Sequence, residues 1–117
     1  IAGLILNTTG RNNDFILEMN KYIPIILLNR RIDSPGFVGD LVGTDNLDSS
    51  YKLTEQLLKM GHRRILVVHG SLELSNGLER YNGYVQAMKD YGIDVGEDYP
   101  YQFNSGFTLE GGYQAVE

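Results

Sequence analysis

The sequence predicts an α/β fold in which parallel strands are joined by helices as βαβ units. Two patterns predict it. Short, continuously apolar runs alternate with longer stretches whose apolar residues recur every three or four positions, and polar clusters rich in Gly, Asn and Asp separate them. The runs 2–6, 24–28, 38–43, 65–69 and 101–103 read as strands, and such uniform apolarity suits strands covered on both faces.

Between the first two strands, Asp14 to Tyr22 is expected to be a short helix burying Phe15, Met19 and Tyr22. Asp45-Asn46 supplies an N-cap for the next helix. Its buried face is Leu47, Tyr51, Thr54 and Leu58, with Leu53, Leu57 and Met60 alongside. Gly61 ends that helix as a left-handed cap, followed by His62, Arg63 and Arg64, cations that complement the carbonyl end. A third helix is expected from Gly77 or Leu78 to Tyr91, burying Tyr81, Tyr84, Val85 and Met88 and stopped by Gly92. Residues 93–100 form a turn-rich connector.

The 117 residues carry 10 Lys and Arg against 15 Asp and Glu, a net charge of −5, which disfavours direct binding to a phosphate backbone. There are no cysteines, so disulfides and thiolate metal sites are excluded. No run approaches the roughly 18–20 apolar residues of a membrane span. The chain starts inside an apolar run, Ile1 to Leu6, and ends in a helix-like stretch, Leu109 to Glu117, so a piece of a longer protein is expected. Asn7-Thr8-Thr9 matches a glycosylation pattern, read as coincidental because it follows a strand.

In open parallel sheets, ligands bind beyond the carboxyl ends of the strands, where loops converge and helix N-termini point free N–H groups. The tips after the five strands are Asn7 to Arg11, Asn29 to Arg31, Thr44 to Asn46, Gly70 to Arg80, and Asn104 to Phe107. This set is dense in hydrogen-bonding groups, with an aromatic ring and a guanidinium, as a hydroxylated or carboxylated small molecule requires. Arg80, early in a helix, can fork two bonds to a hydroxyl pair or carboxylate; its alternative is a surface residue paired with Glu79 or Glu73. Phe107 is alternatively core, Asp45 and Asn46 alternatively helix caps, and Asn29 with Arg30-Arg31 alternatively a solvated turn.

Enzyme signatures are missing. The stretch from Gly70 to Gly77 lacks the Lys-Ser/Thr ending of a phosphate loop, and His62 and His69 have no Asp or Ser companion in motif spacing. No catalytic residue, metal or cofactor is expected.

The ordered string Val42-Gly43-Thr44-Asp45-Asn46, a helix, Gly61-His62-Arg63-Arg64-Ile65, a strand ending at Gly70, and Arg80-Tyr81-Asn82-Gly83-Tyr84 resembles the lactose-repressor/galactose-repressor (LacI/GalR) family of transcription regulators. Ile23 to Arg30 and Phe107 to Tyr113 extend the likeness over nearly the whole chain. The resemblance implies a periplasmic-binding-protein-like fold of two subdomains joined by a crossover. Residues 1–44 would be the second half of the N-terminal effector subdomain and 45–117 the first half of the C-terminal one.

By the same likeness, Arg80 is the effector-clamping arginine and Asn76 the polar residue one turn before it. Phe107 stacks on the effector, and Asn29 and Asp45 match acidic positions lining the cleft. Asn29 departs from the family's usual Asp. The implied protein is a cytoplasmic homodimer that binds a sugar or similar polar effector. Cleft closure would control its grip on operator DNA through a helix-turn-helix domain outside this chain. Two other readings stay open: a periplasmic sugar-binding protein, and a small flavodoxin-like enzyme or receiver domain.

Overall fold

In a computed structural model, residues 1–8 and 13–117 are described. Thr9, Gly10 and Arg11 of the first polar tip lie outside them. Two compact units result: residues 1–44 with Leu74–Asn76, and residues 45–73 with 77–117.

The first unit holds β1 (Leu4–Leu6), α1 (Asn13–Asn20), β2 (Ile25–Leu28) and β3 (Gly39–Val42). Its strands form one parallel sheet in the order β1-β2-β3, with Leu4 opposite Ile25 and Ile25 opposite Gly39. Ile25 and Leu27, two residues apart and so on one face, are almost fully buried with Ile16 and Ile32. Each contributes on the order of 1.5–3 kcal/mol by leaving water.

The second unit contains α2 (Asn46–Lys59), β4 (Val67–His69), most of α3 (Ser75–Asp90), β5 (Gln102–Asn104) and α4 (Leu109–Gln114). β4 and β5 pair in parallel, Val67 opposite Gln102 and His69 opposite Asn104. Leu58 of α2 packs with Tyr84, Ala87 and Met88 of α3, so both helices share one core. Gly83 makes their close approach possible, since a Cβ there would strike the Leu47 carbonyl and come within 3.0 Å of Ser50. Gly61 (φ 93°) and Gly92 (φ 77°) follow α2 and α3 in the left-handed region that ends helices.

Four expectations are corrected. The sheets are covered on one face only: Ile5, Val42, Leu66 and Val68 are exposed, because no described element lies over the other face, and β3 at the sheet edge is exposed throughout, Leu41 included. Helix α1 is rotated from its expected phase, burying Ile16 and exposing Phe15 and Tyr22, since Ile16 is the residue aimed at Ile25 and Leu27. In α2, Leu47, Leu53, Leu57 and Met60 are exposed; the inward line is Asn46, Thr54 and Leu58, the side facing α3. Helix α3 also starts at Ser75, so Gly77 is a first-turn residue packed on the Ser71 carbonyl.

Candidate functional site

Parallel strands carry their following loops to one edge, and in the second unit that edge is built around Arg80 and Phe107. Arg80 sits in the second turn of α3 with an exposed side chain. Its Nε donates to Asn46 Oδ1 at 2.9 Å, and its own carbonyl accepts from Ser50 Oγ at 2.6 Å. Asn46 is only 6% exposed, and its Nδ2 donates to Glu79 Oε2 at 3.3 Å. The two terminal nitrogens of Arg80 form the edge that Asn46 does not engage, and that edge is the fork able to bind two oxygens at once.

Phe107 is not core. The residue is 48% exposed, and its ring lies across Gly70, where any Cβ would collide with it, and close to Gly77. Its backbone is left-handed (φ 60°), directly after Gly106 with the same φ. The surrounding loop holds that conformation. Asn104 Oδ1 accepts from Gly106 N at 2.9 Å, Ser105 N donates to the His69 carbonyl at 2.8 Å, and Thr108 caps α4 by accepting from Gly111 N at 3.0 Å. A non-glycine residue in this region costs on the order of 1–3 kcal/mol, and such strain gathers where a side chain must be presented. Beside it, the His69 ring stands 5.0 Å from the Tyr81 ring, while Tyr81 donates its hydroxyl proton to Gln102 Oε1 at 2.8 Å.

Asp45 performs the capping role, its Oδ1 accepting from Asp48 N at 3.0 Å. Asn46 is therefore not a cap but the buried partner of Arg80, a role the sequence reading missed. The adjacent Asp45-Asn46 pair was its one signal, since a single cap needs only one of them.

In the first unit, Asn29 is exposed with φ 66°, its N–H bonded to the Val42 carbonyl at 2.9 Å and its amide 3.5 Å from Asn7 Oδ1. Asn76 is half-buried in the first turn of α3. Arg30, part of the polar tip after the second strand or alternatively of a solvated turn, is instead buried at 5% exposure. Its Nε and Nη2 donate to Thr8 Oγ1 at 3.0 and 2.9 Å, and Nη1 and Nη2 donate to Asn13 Oδ1 at 3.2 and 3.1 Å. Burial alone lowers its pKa below the usual guanidinium value. A pocket of about 340 Å³ in this unit is lined by Leu4, Leu6, Phe15, Ile16 and Met19 together with Thr8 and Arg30. Such a lining does not suit a polyol. Among the described residues no group of three His, Cys, Asp or Glu side chains can hold a metal, and no helix is long and apolar enough to cross a membrane.

Two parallel α/β units with polar strand ends define a periplasmic-binding-protein-like domain. The family described as "Periplasmic binding proteins and sugar binding domain of LacI family" matches residues 1–105, and the chain belongs to that family. It is 35% identical to the HTH-type transcriptional regulator PtxS of Pseudomonas putida over 85 residues, 72% of this chain and 24% of that protein. It is 32% identical to the HTH-type transcriptional repressor PurR of Klebsiella pneumoniae over 102 residues, 87% of this chain and 29% of that one. Among solved structures, the transcriptional regulator CelR in complex with cellobiose superposes with a TM-score of 0.85 at 25% identity, covering 99% of this chain and 35% of that chain. The chain thus spans about a quarter to a third of the length of these relatives, all of which are named as regulators of transcription.

Proposed function

We propose that this chain is part of the effector-sensing domain of a bacterial LacI-family transcription regulator, and that its effector is a sugar or a similarly hydroxyl-rich small molecule. The observation that carries this reading is the edge of the second unit: an anchored guanidinium with its fork outward, and an exposed ring held in a strained backbone. Sugars are recognised by that combination of multidentate polar groups and a flat apolar platform. Arg80 clamps a hydroxyl pair and Phe107 stacks on a ring face. Within the second unit the second carboxylate oxygen of Asp45 adds a single hydrogen bond; in the first unit, Asn29 and Asn76 each offer one of their own. A neutral amide at Asn29 both donates and accepts, which matches a hydroxyl better than an amine.

In the full protein, a homodimer in the cytoplasm, effector binding changes the affinity of separate helix-turn-helix heads for operator DNA. The switch requires an effector free energy that differs between two states, commonly about 1–3 kcal/mol. The relatives named as HTH-type regulators favour this reading over a periplasmic uptake protein.

The test is a thermal-shift screen of the full-length protein against cellobiose, ribose, galacturonate, adenine and inorganic phosphate. A ligand that binds only the folded state raises the melting temperature. A sugar is expected to raise it in the wild type and to give no shift in Arg80→Ala, with operator binding retained. Stabilisation by adenine alone, or a sugar shift unchanged by Arg80→Ala, would overturn the assignment.

A further inference from the structure

We infer that Asn46 is a positioning residue for the effector: it orients Arg80 without itself touching the ligand. This rests on the reading of Arg80 as the ligand clamp.

A buried primary amide in the first turn of a helix is a costly choice, since Asn has modest helix propensity and its four hydrogen-bonding sites must be satisfied away from water. Capping does not explain it, because Asp45 is the cap. The neighbours of Asn46 fix which way its amide points. Arg80 has donors only, so it faces the oxygen; the Glu79 carboxylate has acceptors only, so it faces the nitrogen. The amide therefore cannot flip, and its oxygen is a fixed anchor for Nε.

Bonding at Nε, rather than at a terminal nitrogen, locks the plane of the guanidinium and leaves its outer edge presented. The backbone is pinned as well, by Ser50 Oγ on the Arg80 carbonyl at 2.6 Å and by the close helix approach at Gly83. A long side chain held this way has already lost its rotamer freedom before any ligand arrives, so binding has less left to order. Side chains that merely fill space would serve the α2–α3 contact equally well, but would leave Arg80 free to swing.

The test reads the Arg80 Nε–H directly by ¹⁵N NMR in the full chain, with Arg80→Lys assigning its resonance. In the wild type its exchange with water should be at least about tenfold slower than in free arginine. Asn46→Ala should abolish that protection, and Asn46→Asp combined with Glu79→Gln, which keeps an oxygen facing Nε and turns a donor toward the other carboxylate oxygen, should restore it. The sugar-induced thermal shift should follow the same order.

Equal protection in folded Asn46→Ala would overturn the inference while leaving the clamp reading intact. An unprotected Nε–H in the wild type would overturn it without any variant, even if Asn46→Ala fails to fold. Protection that depends on Asn46, together with a sugar shift indifferent to Arg80→Ala, would sink the clamp reading instead, and with it the role of Asn46 in binding.

Discussion

Arg30 in the first unit and Arg80 in the second both follow strand ends in polar segments, yet they have opposite fates. The guanidinium of Arg30 is wrapped by Thr8 and Asn13 and withdrawn from water. That of Arg80 is fixed at one nitrogen and left exposed. The first ties a loop to a helix within the scaffold; the second is an instrument aimed at solvent. What separates them is how many of the five donors the protein itself consumes.

The contrast can be attacked first at its foundation. Met88 of α3 is fully buried against Leu58 of α2 and seats the helix that carries Arg80; Met88→Ala should cost about 2–5 kcal/mol in denaturant unfolding. A loss under 1 kcal/mol would mean that α3 is not seated on that core. Next comes Arg30→Leu, which strands the Thr8 hydroxyl and the Asn13 amide oxygen and should destabilise by about 1–3 kcal/mol without altering ligand affinity. Weakened sugar binding with unchanged stability would erase the distinction between the two arginines.

Phe107→Ala should weaken a bound sugar by at least about 1 kcal/mol through lost stacking. An unaltered dissociation constant in calorimetry counts against the platform role.

The smallest effect is a pH dependence in the second unit. The Tyr51 hydroxyl donates to Asp90 at 2.7 Å, holding the Asp90 carboxyl below its usual range and pushing Tyr51 up to about 12. Since the Asp90 value is depressed on folding, its contribution is complete above the unfolded value of about 4 and disappears as pH falls through the lower folded one. Since the Tyr51 value is raised, its share is complete below about 10 and disappears as pH climbs through the folded value. The difference in melting temperature between wild type and Tyr51→Phe should therefore be flat from pH 5 to 9 and shrink on either side. Exposure of the pair keeps it small.

Much of the architecture was legible because it depends on local pattern. Asp45 with its downstream apolar spacing marked the start of α2, and Gly61 and Gly92 marked helix ends through their φ. Burial was harder to read, because it depends on where neighbours lie: α1 offers Phe15, Ile16 and Met19 in one stretch, and only contact with Ile25 and Leu27 selects Ile16. The candidate site divided along the same line. Arg80 and Phe107 stood out by position, whereas Asn46 owes its role to a helix crossing between residues 33 and 34 positions apart. The burial of Arg30 was illegible for the complementary reason, since nothing in Asn29-Arg30-Arg31 announces Thr8 and Asn13 as its partners.

The ring of Phe107 resting on the bare backbone of Gly70 ties together two positions far apart in the chain. Any methyl group at 70 evicts the ring, and any smaller group at 107 opens room for that methyl. The two positions should accordingly change in concert among descendants of this sequence. A lineage acquiring taste for a bulkier or differently shaped effector has a short route through this pair, remodelling the platform without disturbing the anchored arginine.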